Sequence, residues 1–183
     1  MNRLSRLRPD ELDDEQATLY AEITAGPRAG GPFALTDAEG RLEGPFNAML
    51  FSPDLGRSLQ DLGAAVRYRT ELTPRVREIA VLVVAQVRDS AFERQAHERA
   101  GAAAGLTEDE LAALREGRDP RLGDAVEHAA WWFTRALARY NGTVDDVAYE
   151  AARSALGERA LFELSTLVGY YATLALQLRL FKV

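Results

Sequence analysis

The sequence predicts an all-α protein, and three observations predict it. Nearly every segment places apolar residues at helical intervals, three or four apart. Helix-start signals recur in front of those segments, as Thr73-Pro74, Ser90-x-x-Glu93 and Thr107-x-x-Glu110. Glycines at 105 and 157 and the Asn141-Gly142 pair then close them. The run Val81-Leu82-Val83-Val84 is the one stretch that also suits a strand. Its capped start, its length and its helical neighbours decide for helix.

Taken in order, residues 10–25 form the first predicted helix, with Leu12, Leu19, Tyr20 and Ile23 on one side and acidic residues in the first turn, where the helix dipole favours them. Residues 26–46 carry five glycines and three prolines before Phe46 and read as a long, irregular connection, either a surface insertion or a functional loop. Residues 45–52 read as a short helical turn with Phe46, Met49 and Leu50 inward. Ser52 is then expected to cap a helix reaching about Thr70, with Leu55, Leu59, Leu62, Ala65 and Val66 as its apolar positions. Arg67 and Arg69 end that helix. They either complement its dipole or clamp a substrate carboxylate.

The helix from Pro74 to Val87 is apolar on most sides, which implies burial in the core or at a subunit interface. A break near Arg88-Asp89 separates it from a helix beginning at Ser90 and ending at Gly105. Thr107 opens the next. After the polar break at 117–123 a helix from Asp124 to Tyr140 carries Val126, Ala130, Phe133 and Leu137. Another starts near Thr143 and Asp146 and stops at Gly157, and a long apolar helix from Glu158 to Phe181 completes the chain. Residues 77–84 resemble 162–169, with Glu78 aligned to Glu163. A helical duplication is one reading of that match.

Composition narrows the function classes. The chain has 183 residues, suited to one domain, 1–183, able to bury its own core, with 47% hydrophobic and 27% charged residues. It contains no cysteine, so disulfides, thiolate metal sites and thiol redox chemistry on this chain are excluded. A net charge of −6 argues against nucleic acid and anionic membrane as partners. The N-terminus has no apolar run behind its basic residues and no stretch reaches the roughly 18 apolar residues of a membrane span, so a cytoplasmic protein is expected.

One constellation carries chemistry. Ser90, Glu93 and His97 lie at intervals of three and four, on one face of a predicted helix, and Glu78 lies on the helix before it. If those helices pack antiparallel, a hydroxyl, two carboxylates and an imidazole converge. Histidine moves protons near neutral pH, and a neighbouring carboxylate orients it and stabilises its charged form. Each residue also has a plainer role. Ser90 and Glu93 match a capping box, Glu78 can pair with Arg75 or Arg77, and His97 can be a packed residue. His128, beside Trp131 and Trp132, reads as packing. Two carboxylates and one imidazole without a strict motif are a weak ligand set, so no metal site is assigned.

The run LTPRVREIAVLVVAQVRDSAFERQAHERAGAAAGLTEDELAALREG resembles the core of the carboxymuconolactone decarboxylase family, which includes the alkylhydroperoxidase D-like proteins. The preceding GPFNAMLFSPDLGRSLQDLGAAVRYRT and the terminal LVGYYATLALQLRLFKV resemble its flanking parts, so the resemblance covers residues 44–183 and leaves 1–43 as an N-terminal helix and loop. The peroxidase branch of that family carries a Glu, a C-x-x-C pair and a His. Glu78 and His97 match the Glu and the His, while Ser90 and Glu93 stand where the cysteines would be. Thiol-based peroxide reduction is therefore not open to this chain. The resemblance implies an all-helical homo-oligomer (dimer, trimer or hexamer) and a cofactor-independent acid–base enzyme acting on a small anionic or lactone-like substrate, by decarboxylation, isomerisation or related ring chemistry. In it His97 would donate or accept the proton, Glu78 and Glu93 would tune it, Ser90 would bind substrate, and Arg67 or Arg69 would bind a carboxylate. A non-catalytic helical oligomer that binds a small molecule is the alternative.

Overall fold

A computed structural model describes residues 2–30, 34–140 and 142–183. Among them every regular element is helical, and the only β pairing is a single bridge between Thr36 and Leu42. The chain divides into two units, Met1–Arg69 with Leu176–Val183, and Thr70–Ala175.

In the first unit a 3-10 turn at Pro9–Glu11 precedes α1 (Asp14–Ala25), α2 (Phe46–Met49) and α3 (Pro53–Tyr68). The predicted helix from residue 10 is thus split. Leu12 is extended, and Asp13 caps the Gln16 N–H while the Gln16 side chain bonds back, which fixes the start of α1 at Asp14. The connection after α1 includes residues 31–33, which lie outside the described residues. Its later part is more ordered than its glycines predict. Asp37 accepts the N–H groups of Glu39 and Arg41 and pairs with the guanidinium groups of Arg41 and Arg6, while Tyr20 donates to the Gly40 carbonyl. Leu42, at its end, is buried.

Helix α3 departs from the expected pattern. Ser52 occupies the cap position but its side chain makes no capping bond. The buried face is Gly56, Gln60, Gly63 and Val66, whereas Leu55 is 67% exposed and Leu62 40%. The cause is close approach. A Cβ on Gly56 would lie 2.8 Å from Met49 Cβ and 2.9 Å from Leu19 Cδ2, so α1 and α2 reach α3 only along its glycine side.

The second unit is built around α4 (Pro74–Val87), against which α5 (Ala91–Ala103), α6 (Glu108–Glu116) and α7 (Ala125–Arg139) all pack. Thr73 caps the Val76 N–H and Pro74 sits in the first turn, where its missing donor costs nothing. Nine residues of α4 are buried, among them every residue from Glu78 to Ala85, so the helix is enclosed on nearly all sides, as its apolar run predicts. Ile79, Leu82 and Val83 meet Leu106, Leu111, Leu114, Leu122 and Trp131 in one core cluster. Each such side chain contributes about 1.5–3 kcal/mol on burial. Thr107 and Glu110 form the predicted capping box of α6, and Gly117 ends it in the left-handed region. Asn141, expected to help close α7, lies outside the described residues. Helix α8 (Asp146–Phe181) is broken where the sequence places a stop, at Gly157, with φ 77° and ψ 159°. Within the second unit it buries Leu161, Leu164, Leu167, Tyr171 and Leu174. Among the described residues no helix is long and apolar enough to cross a membrane.

Candidate functional site

The link between α4 and α5 sets the site. Arg88 N–H closes on the Val84 carbonyl, Asp89 takes a left-handed conformation with φ 50°, and Ser90 N–H reaches back to the Ala85 carbonyl at 2.9 Å. Aspartate is among the few residues that tolerate that conformation. The turn is so short that α5 folds back along α4, and residues on either side of it come face to face. Glu78 and His97 are such a pair.

His97 lies between two carboxylates. Its Nδ1 is 2.6 Å from Glu78 Oε2 and its Nε2 is 3.4 Å from Glu93 Oε2. His97 is 5% exposed, Glu78 1% and Glu93 3%, so water screens these contacts little. The edge of the Tyr171 ring, from α8, meets the imidazole at right angles with centroids 5.1 Å apart. Arg77 Nε lies 3.8 Å from Glu78 Oε1. Burial by itself would discourage the charged imidazole. The hydrogen bonds and charges of Glu78 and Glu93 outweigh it and raise the His97 pKa above its ordinary value. The arrangement therefore favours the protonated form of a buried imidazole held between two carboxylates.

Ser90 and Glu93 do not form the capping box their spacing suggests. The Ser90 N–H that Glu93 would accept is already bonded to Ala85, and the Ser90 side chain makes no capping bond. Ser90 is 6% exposed, yet its Oγ and Glu93 Oε1 are buried without a hydrogen-bond partner among the described residues. Buried polar atoms are almost always paired, so two such atoms three residues apart at the start of α5 stand out.

Of the residues singled out by sequence, Glu78, Glu93 and His97 meet, and Ser90 begins the helix that carries two of them. Glu78 faces Arg77, whereas Arg75 turns to Glu110 and Glu127 instead. Arg67 and Arg69 belong to the first unit. There the Arg67 guanidinium lies over the Tyr68 ring, 5.9 Å from its centroid, and Arg69 reaches the Asp61 carbonyl at 3.5 Å. His128 stacks obliquely on Trp131 and is half exposed. Tyr171 is not among the residues that sequence singles out, and no local pattern marks it. Among the described residues no group of three His, Cys, Asp or Glu side chains is placed to hold a metal ion, and both ring nitrogens of His97 face carboxylates.

Comparison with known proteins agrees with this fold. No match was found among curated proteins. Among solved structures, the chain is similar to a variant of the debrominase Bmp8, determined in complex with 2,3,4-tribromopyrrole. The TM-score is 0.75 at 12% identity, over 100% of this chain and 92% of that one, a likeness of fold. The family model for carboxymuconolactone decarboxylases matches residues 53–136, which hold α3 to α6, most of α7 and all four residues of the His97 cluster. Over that segment the chain is similar to the carboxymuconolactone decarboxylase family, with no cysteine at the site.

Proposed function

We propose that this protein is an acid–base enzyme that moves a proton on a small organic substrate, in a decarboxylation, an isomerisation or a related ring reaction, using the cluster of Glu78, His97 and Glu93. The observation that carries this reading is the imidazole held between two buried carboxylates. Such a site keeps a proton available at neutral pH and excludes the water that would compete for it. The match of residues 53–136 to that family's model supports an enzyme-like role. With no cysteine in the chain, chemistry here proceeds without a thiol nucleophile.

The test is turnover by His97→Gln against a panel of small lactones, ketones and carboxylic acids. Glutamine keeps the volume and one hydrogen bond but cannot carry the proton. The expected loss is about 10²- to 10⁴-fold, with circular dichroism unchanged. Full activity in that variant overturns the reading. Binding of a ligand by wild type and variant alike, with no turnover by either, would instead favour a non-catalytic binding protein. Self-association suits either reading. Phe51, Leu55 and Leu62 leave an apolar face of the α3 region exposed, and light scattering of Leu55→Glu against wild type tests whether it joins protomers.

A further inference from the structure

We infer that Glu93 is the group that exchanges a proton with the substrate, that Ser90 holds the substrate's carbonyl oxygen, and that the site takes a neutral, enolisable carbonyl compound. This rests on the acid–base reading above and assigns its roles.

The assignment follows from which atoms are committed. Both ring nitrogens of His97 face carboxylate oxygens, Nδ1 at 2.6 Å and Nε2 at 3.4 Å. The imidazole cannot reach a substrate without giving up one of them. Glu93 uses only Oε2 on His97, and its Oε1 is buried with no partner. Ser90 Oγ, one helical turn earlier, is likewise buried and unpartnered, and the first turn of α5 lacks the side-chain cap that normally covers its N–H groups. A free carboxylate oxygen one helical turn from a free hydroxyl, at a helix N-terminus, has the form of a base with an oxyanion site.

Charge decides the substrate class. Arg77, Glu78, His97 and Glu93 alternate in sign, so with the imidazole protonated the row is neutral. A substrate carboxylate beside Glu93 would add an unbalanced buried negative charge, whereas a neutral carbonyl adds none until the reaction generates it. In the step, Glu93 Oε1 takes a proton from the carbon next to the carbonyl. The C–H electron pair becomes the enolate double bond, and the carbonyl π pair moves onto oxygen, where the Ser90 hydroxyl donates to it. The protonated Glu93 then returns the proton to the same carbon or, in a β,γ-unsaturated compound, to the γ carbon. Nothing is oxidised or reduced and no co-reactant is consumed. His97 acts through Glu93, as a positioning residue and counter-charge.

The probes are cyclohex-3-enone, neutral, and 4-oxopentanoate, an anionic ketone. Each is followed by proton NMR for exchange in D2O, and the first also by the absorbance of its conjugated product. The wild-type protein is expected to accelerate reaction of the neutral probe and leave the anionic one near the buffer rate. Glu93→Gln is expected to lower the catalysed rate at least about 10²-fold, and Ser90→Ala about 10- to 10²-fold, chiefly in kcat. Glu93→Asp keeps the charge but draws the carboxylate back, and is expected to fall between wild type and Glu93→Gln. It supplies the answer if the glutamine variant fails to fold. Wild-type catalysis that survives in both Glu93 variants overturns this assignment and leaves the acid–base reading standing. So does catalysis on the anionic probe alone. A wild-type protein that accelerates neither probe overturns this assignment, and the panel above then decides the wider reading on its own.

Discussion

Two charged clusters lie one turn apart on α4, and they are built in opposite ways. Arg75 donates from Nε and Nη2 to both oxygens of Glu127 at 2.7 and 2.9 Å, from Nη2 to Glu110 at 3.0 Å, and from Nη1 to the Gly105 carbonyl. The hydrogen bonds it donates to Glu127 and Glu110 hold its pKa well above the usual arginine value. Burial would raise the Glu110 carboxyl, but the Thr107 N–H and Arg75 bring it below the ordinary value. This network ties α4 to α6 and α7 and ends in satisfied groups. The Glu78–His97–Glu93 cluster is more deeply buried and ends in two atoms with nothing to bind. A satisfied network is a brace, whereas an unsatisfied buried one keeps a cost that folding alone does not explain.

The largest contrast should appear when each cluster loses one carboxylate. Glu78→Ala takes from the His97 imidazolium its 2.6 Å contact, at a site only 5% exposed. The expected loss is about 3–5 kcal/mol of unfolding free energy. Glu127→Ala leaves Arg75, whose side chain is 26% exposed, with Glu110 and the Gly105 carbonyl, and the expected loss is about 1 kcal/mol. Urea unfolding of both variants measures the difference. Equal losses would break the distinction between brace and site.

The second contrast is in pH. The folded His97 pKa lies above the unfolded 6.5, because Glu78 on α4 and Glu93 on α5 face it, with Arg77 behind Glu78 and the Tyr171 ring edge closing the side from α8. The imidazolium therefore binds its proton more tightly in the folded state. Its contribution is fully present below about pH 6.5 and is lost as pH rises through the folded value. Unfolding free energies from pH 5 to 9 should show wild type losing stability with rising pH relative to His97→Gln. Parallel curves would mean that the imidazole carries no extra proton. The Arg75 network contributes no such slope near neutrality, since arginine keeps its proton.

Much of this was legible in the sequence where the signal is local. Thr73-Pro74, Thr107-x-x-Glu110 and Gly157 mark boundaries that the backbone respects, because caps and positive φ act within a few residues. The meeting of Glu78 with His97 also followed from spacing, given a helix hairpin. Three things did not follow. Hydrophobic period chose the leucines of α3, but Gly56 and Gly63 carry no hydrophobic signal, and close packing at Gly56 selected their side. Ser90-x-x-Glu93 matched a capping box, but the Ser90 N–H was taken by Ala85, five residues back in the preceding helix. Tyr171 reaches His97 from 74 residues away and Arg75 reaches Glu127 from 52, distances over which pattern reading is blind.

The smallest expected effect on stability bears most directly on the comparison. A bracing serine loses stability when its hydroxyl is removed, because its partner is stranded. Ser90 Oγ is buried without a partner, so Ser90→Ala strands nothing and removes a desolvated hydroxyl. Its unfolding free energy should be unchanged or higher by up to about 1 kcal/mol. Thr107, whose hydroxyl accepts the Glu110 N–H at 3.2 Å, is the control, and Thr107→Ala should cost about 1 kcal/mol. A Ser90→Ala protein that is as stable as wild type but slower in turnover places the hydroxyl in service of a ligand. One that loses as much stability as Thr107→Ala would return Ser90 to the structural residues, and would leave Glu93 Oε1 as the single unsatisfied atom at the end of the row.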